Sequence, residues 1–321
     1  MVNRITPTID TRAIAQQMNS VNAALISNGA LGSGHLVAQR SAFRTAMRRL
    51  WRSTNGRVGL VLVGIITLIA LVTPLIDPYN PRLDSNLTIS RQAPSALHLL
   101  GTDMIGRDVL RRILHGARIS LAIALTTIVI GSFLSTSIGI IAGYYGGTVD
   151  TIIQRSGELM QALPGIPLAI AIVAIFGPGL LNTMLAITIV GIPSGMRVAR
   201  AVTLSLTTRE YVDAARALGA SNTHIIVGHV LPNLLPYVIV GATLGMGGVI
   251  LNAAALGFLG LGAQPPTPEW GVMIADAVKF LRQSPHMALF PGLAIVLTVI
   301  GFNLLGDGLR DALDPTLSGS D

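Results

Sequence analysis

Residues 58–76, VGLVLVGIITLIALVTPLI, decide the fold. Between Val58 and Ile76 there is no ionisable side chain. A helix needs ~20 apolar residues to cross the hydrocarbon of a bilayer, and this stretch supplies them. Five further apolar blocks follow, at about 119–142, 160–177, 180–196, 234–256 and 287–306. The sequence therefore predicts an all-α polytopic membrane protein with about six transmembrane helices. Composition points the same way. The 321 residues are 51% hydrophobic and 12% charged. Soluble domains carry about 25% charged residues, so too few charges remain to coat a water-facing surface.

Outward from Val58 the N-terminal side is basic. Eight arginines precede it (Arg4, Arg12, Arg40, Arg44, Arg48, Arg49, Arg52, Arg57) against one acid, Asp10. Beside an apolar block this reads as a cytoplasmic flank rather than a nucleic-acid tail. No apolar stretch with a small-residue cleavage site precedes the first block, which is expected to act as an uncleaved signal-anchor. Residues 1–35 are polar without period and are expected to be disordered. Over 36–57, Arg40, Arg44, Arg48 and Arg52 fall on one side of a helical wheel and Phe43, Met47, Leu50 and Trp51 on the other. That pattern suits an interfacial helix, and an ordinary basic flank accounts for it equally well. The transmembrane body is read over 58–317, with 318–321 a tail.

Six spans from a cytoplasmic N-terminus return the C-terminus to the cytoplasm. The third and fourth blocks meet at Gly177-Pro178-Gly179, which reads as a tight turn. Pro164, Pro167 and Pro193 should kink them. The 197–233 loop is then cytoplasmic and the 257–286 loop external. The 77–118 loop is also external, and its six arginines oppose that placement. Gly241 and Gly245 form a G-x-x-x-G, read as helix packing.

Absences exclude several classes. Without cysteine there is no disulfide, thiolate metal site or Cys nucleophile. A phosphate-cradling G-x-x-x-x-G-K-[ST] cannot exist, because the sole lysine, Lys279, precedes Phe280. His224 and His229 stand five apart with no H-E-x-x-H, and no G-x-S-x-G elbow occurs. Gln161, Asn182, Asn252, Asn303 and Glu158 are polar residues in or beside spans. They are candidates to line a pathway, and the amides serve equally well as glue between helices.

The 197–233 loop carries mechanism. Residues 209–221, REYVDAARALGAS, read as a short helix ending at Gly219. Ala215 and Gly219 should share a smooth small-residue face, with Ala214 and Leu218 in the adjoining row. Pro232 is placed at the first turn of the fifth span. From composition alone such a helix is plain packing.

Asp213-Ala214-Ala215, Gly219 and Leu231-Pro232 resemble the Glu-Ala-Ala…Gly…Leu-Pro loop of ATP-binding-cassette (ABC) importer permeases, with Asp213 for Glu and His229 where Ile is common. Residues 98–121, 255–271 and 302–315 are similar to C-type subunits of dipeptide and oligopeptide permeases. This resemblance covers about residues 45–317. It implies the type I importer permease fold and a non-catalytic subunit. Glu210, Tyr211, Asp213, Ala214, Ala215, Arg216, Gly219, Leu231 and Pro232 would form an ATPase-coupling loop. Gln264, Pro265, Pro266, Glu269 and Trp270 would face an external substrate-binding protein. The implied partners are a second permease and two cytoplasmic ATPases that hold ATP and Mg. No cofactor is expected in this chain. The expected cargo is a peptide, a dipeptide foremost; nickel chelates, glutathione and longer peptides are the alternatives. A gradient-driven transporter would need ionisable groups in mid-span, which are nearly lacking.

Overall fold

The computed structural model describes residues 47–80 and 84–313. The expectations for 1–35, for 36–46 and for the 318–321 tail lie outside the described residues. Two compact units meet in sequence between Arg49 and Leu50, and the helical bundle belongs to the second. Among the described residues the elements are helical, with one isolated bridge between Thr102 and Asp108.

The helices are α1 (Thr54–Ile76), α2 (Val109–Tyr145), α3 (Gly147–Gln161), α4 (Gly165–Phe176), α5 (Leu180–Thr207), α6 (Glu210–Ala217), α7 (Asn222–Ile225), α8 (Leu231–Phe258), α9 (Trp270–Val278) and α10 (His286–Leu313). A π-helix over Ile226–Val230 joins α7 to α8 without a break. Five segments are long and apolar enough to cross a membrane: α1, α2, α5, the run Asn222–Phe258 and α10. The pair α3 and α4 also qualifies, but it is bent by 89°.

That bend corrects the third predicted span. The 160–177 block is not one straight crossing. α4 has only 12 residues, about 18 Å at 1.5 Å per residue, well short of a ~30 Å hydrocarbon core. Pro164 is the N-cap of α4, where its extended backbone turns the chain out of α3. The helix of the fourth block, α5, continues beyond 180–196 to Thr207. The proposed 36–57 helix is not continuous either. Residues 47–52 are helical, but Ser53 leaves the helix and its hydroxyl accepts the Gly56 N–H at 3.2 Å, starting α1.

Two ends of the bundle are defined by contacts. At one end lie the last turn of α1, the first turn of α2, the 177–179 turn and the 259–285 segment. The Gly179 N–H and the Thr183 hydroxyl both donate to the Leu261 carbonyl, at 3.1 and 2.9 Å. At the other end lie the last turn of α2, with α6 and α7; the Tyr144 hydroxyl donates to Asn222 Oδ1 at 2.9 Å.

Close packing of α2 on α5 runs through a glycine pair that the sequence reading passed over. A Cβ on Gly139 would sit 2.6 Å from the Met196 carbonyl oxygen, and one on Gly143 2.9 Å from that of Arg200. Lipid offers no hydrophobic drive for helix association, so this backbone approach supplies the dispersion contact that holds the pair. The Gly241-x-x-x-Gly245 pair behaves differently. A Cβ on Gly245 would meet Ile128, but one on Gly241 would meet nothing within 4 Å. Gly241 is therefore not a packing glycine within this chain.

Three of the six arginines of the 77–118 loop, Arg107, Arg111 and Arg112, are held in ion pairs. Buried Arg107 and Arg112 hold Asp103 at 2.6 and 2.7 Å, and Arg112 also reaches Asp276 at 3.5 Å. Arg111 holds Asp77 at 2.6 Å and Asp84 at 3.3 Å. Its guanidinium keeps the Asp77 carboxyl below the usual carboxylate range. Burial pushes the Tyr79 hydroxyl, beside this network, upward. Neutralised arginines fix the loop on the helix ends.

Candidate coupling loop and translocation groove

α6 is short and would be marginal alone. Its ends are built locally. Glu210 and Asp213 occupy the first turn and Arg216 the last, matching the helix dipole. At the C-terminus the Ala220 N–H donates to the Ala215 carbonyl and the Gly219 N–H to that of Arg216, at 3.0 and 2.9 Å. This is a Schellman closure, and it requires the left-handed Gly219 at φ 82°. The expected stop at Gly219 is thus observed.

Val212 anchors the helix. It is fully buried in a cluster with Ile140 of α2, Ala199 of α5, Ile225, Val230 and Leu234. Ala215 and Ala220 pack against the same cluster. This narrows the expected small-residue face to Gly219 and the adjoining Ala214–Leu218 row, all exposed. Ala215 turns inward, and the exposed row is Tyr211, Ala214 and Leu218, with Leu218 88% exposed. Asp213 and Arg216 flank that row and pair at 3.2 Å. Glu210 is exposed beside it.

Leu231 packs against the anchor cluster. Pro232 stands in the first turn of α8, as expected, although the π-helix carries the helical run unbroken from Asn222. The π-turn before it accommodates the missing proline N–H, and the Asn233 amide donates to the His229 carbonyl at 2.7 Å. The rings of His224 and His229 are 5.9 Å apart, edge to face, with Tyr211 beside His229. No group of three metal-ligating side chains occurs among the described residues.

A groove of about 400 Å³ opens between α2, α5 and α8. Thr127, Gly131 and Ser135 of α2 recur at i, i+4 and i+8 along it, and Gly241, Gly248 and Asn252 supply the α8 wall. Such a wall is smooth, weakly polar and uncharged. The sequence carried a signal for it in the four-residue spacing of small and hydroxylated side chains on α2. Of the amides singled out as pathway-lining, only Asn252 faces the groove. Asn182 instead donates to the Phe176 and Gly177 carbonyls, closing the α4–α5 turn. Gln161 receives Arg197 at the α3 bend. Asn303 lies against Gly247 on the α8–α10 seam. Glu158 is exposed and pairs with Arg155.

Ala199, Val202, Leu234 and Val238 belong to both places: they pack in or against the α6 anchor and they line the groove. The α6 anchor and the groove wall therefore form one contiguous set of packed side chains.

At the other end, Gln264 and Pro265 are exposed and Pro266 is half-buried. Glu269 and Trp270, expected to face a partner, are each 2% exposed. Glu269 caps α9, accepting the Gly271 and Val272 N–H groups at 2.9 Å each, and burial raises its pKa. The Trp270 ring N–H donates to the Ile113 carbonyl at 3.1 Å. Both side chains hold the loop in place and cannot be presented outward.

A polytopic helical bundle in which an amphipathic loop helix is keyed to the same spans that wall an open groove defines a transport permease. The chain belongs to the family described as the binding-protein-dependent transport system inner membrane component, which matches residues 135–319. The N-terminal TM domain of oligopeptide transport permease C matches residues 41–94, which marks the C-type branch. Among curated relatives, the dipeptide transport system permease protein DppC of Alkalihalophilus pseudofirmus is 47% identical over 86% of this chain and 91% of its own. The glutathione transport system permease protein GsiD of Pectobacterium atrosepticum is 43% identical over 88% and 95%. The di/tripeptide transport system permease protein DppC of Pseudomonas aeruginosa is 44% identical over 86% and 94%. A solved structure of the inward-facing MetNI methionine ABC transporter shares the fold, with TM-score 0.52 and 17% identity over 63% of this chain and 97% of that one.

Proposed function

We propose that this chain is one membrane half of an ABC importer that moves peptides, dipeptides foremost, across the bacterial cytoplasmic membrane by alternating access. The single observation that carries the reading is the sharing of Ala199, Val202, Leu234 and Val238 between the α6 anchor and the groove. ATP and Mg sit on two partner ATPases, one of which grips the Tyr211–Ala214–Leu218 row from the cytoplasm. A second permease closes the groove. A binding protein delivers substrate at the opposite end, where Gln264 and Pro265 are exposed.

The end that carries α6 is the cytoplasmic one. Arg52, Arg57, Arg209, Arg216 and Arg310 lie in or beside helix ends there, in keeping with the positive-inside rule. Moving a two-state groove from 1:99 to 99:1 takes ~5.5 kcal/mol of differential binding, which the ATPase pair must deliver through α6.

The test is uptake by vesicles containing the full complex, with ATP inside and peptide-loaded binding protein outside. Dipeptides, longer peptides, glutathione and nickel chelates are compared. ATP-dependent accumulation of dipeptide supports the proposal. Accumulation driven by an ion gradient without ATP overturns it.

A further inference from the structure

At the end of the bundle away from α6, charge is segregated. The 77–108 and 259–285 segments contain six acids: Asp77, Asp84, Asp103, Asp108, Glu269 and Asp276. Each is buried or holds a basic partner. Asp103 and Asp276 take Arg107 and Arg112, Asp77 and Asp84 take Arg111, Asp108 takes His98 at 2.9 Å, and Glu269 caps α9. Three cations of the same segments are exposed and form no ion pair among the described residues: Arg91, Lys279 and Arg282.

Arg91 is packed against the segment of chain that carries the other two. Arg91 lies over the Phe280 ring, 4.8 Å from its centroid, and donates to Gln283 Oε1 at 3.4 Å. Its carbonyl accepts the Ser284 hydroxyl at 3.5 Å. Its backbone sits at φ 55°, a conformation that non-glycine residues adopt at a cost, so the surrounding contacts hold it there. Lys279 and Arg282 flank Phe280 in sequence, and Val278 and Leu281 beside them are about half exposed.

We infer that Arg91, Lys279 and Arg282, set around Phe280, form a cationic platform that receives an acidic surface of the substrate-binding protein. This inference rests on the importer reading. Charges at an interface rim steer encounter and set its salt dependence, and a platform without acids of its own favours an acidic partner. The exposed Val278 and Leu281 add apolar contact.

Lys279 is the only lysine in the chain, which gives a direct test. The complete complex, in vesicles containing phosphatidylserine, is mixed with dipeptide-loaded binding protein and a carbodiimide, which joins a carboxylate to a primary amine. The expected product is an adduct between Lys279 and an Asp or Glu of the binding protein. It is lost in Lys279→Arg, which keeps the charge, and it falls about tenfold in ~0.5 M salt as the Debye length shrinks to ~4 Å. The Arg91→Glu, Lys279→Glu, Arg282→Glu triple variant raises the half-saturating concentration of binding protein for ATPase stimulation about tenfold at low salt, with the unstimulated rate unchanged. Linkage of Lys279 to the serine carboxylate of the lipid would make this a membrane-facing patch and overturn the inference. So would an unchanged half-saturating concentration in the triple variant while the wild type is stimulated. Absence of stimulation in the wild type would instead remove the importer reading itself.

Discussion

Val212→Ala tests whether α6 works as a lever. The side chain is fully buried among Ile140, Ile225 and Leu234. Two methyl groups are lost, about 1.6 kcal/mol of transfer free energy at ~0.8 kcal/mol each. The void they leave adds on the order of 1 kcal/mol, since neighbours collapse only partly. The anchor weakens by about 2.5 kcal/mol in all. If α6 must transmit ~5.5 kcal/mol to take the groove from 1:99 to 99:1, about 3 kcal/mol remains. That leaves the switched state at only about 60% occupancy, from the tenfold change per ~1.4 kcal/mol. Peptide carried per ATP hydrolysed should fall by about 40%, while the exposed row that meets the ATPase is untouched and hydrolysis continues. Ile225→Ala, a larger deletion of about 3 kcal/mol from the same cluster, should lower the ratio further. The assay is paired uptake and phosphate release in vesicles holding the full complex. Wild-type stoichiometry in both variants, with assembly intact, would refute the lever.

The two glycine pairs should diverge: Gly139→Leu drives a side chain into the α5 backbone and prevents assembly, whereas Gly241→Leu yields an assembled complex with impaired uptake, as size-exclusion profiles and vesicle uptake will show. Asp103→Asn leaves Arg107 and Arg112 buried without their shared anion and should cost about 3–5 kcal/mol, seen as a large fall in melting temperature. Asp84→Asn, on a half-exposed pair, should cost under about 1 kcal/mol. Melting against pH should separate two carboxylates of opposite sign. Asp77, with its pKa lowered by Arg111, contributes stability that is present above 3.8 and lost as pH falls below it. Glu269, with its pKa raised by burial, contributes stability that is present below 4.5 and lost as pH rises through its folded value. Asp77→Asn should remove the first slope and Glu269→Gln the second.

Much of the fold was legible because lipid demands long uncharged runs, and five such runs appear as continuous helices. The third block differs because hydropathy is blind to direction: Met160 to Gly177 is apolar but for Gln161, yet the chain bends by 89° between α3 and α4, at Pro164. The Gly219 stop was legible because a left-handed residue after a helix all but requires glycine. Which face of α6 points outward was not. Alanine and glycine suit packing and docking equally, and Val212, the residue that decides it, precedes them in the sequence. Glu269 and Trp270 looked like exposed loop residues, and only the fold shows the carboxylate capping α9 and the indole bonding Ile113. The arginines near α2 count against an external 77–118 loop under a rule that counts basic residues alone, and the sequence does not show that Arg107, Arg111 and Arg112 are ion-paired.

Ala199, Val202, Leu234 and Val238 serve two masters. Any attempt to widen the cargo range by enlarging the passage at these positions will also loosen the transmission. Variants selected for bulkier cargo should therefore arise at Asn252, which lines the wall without belonging to the drive train, since Gly131 and Gly241 have no side chain left to remove.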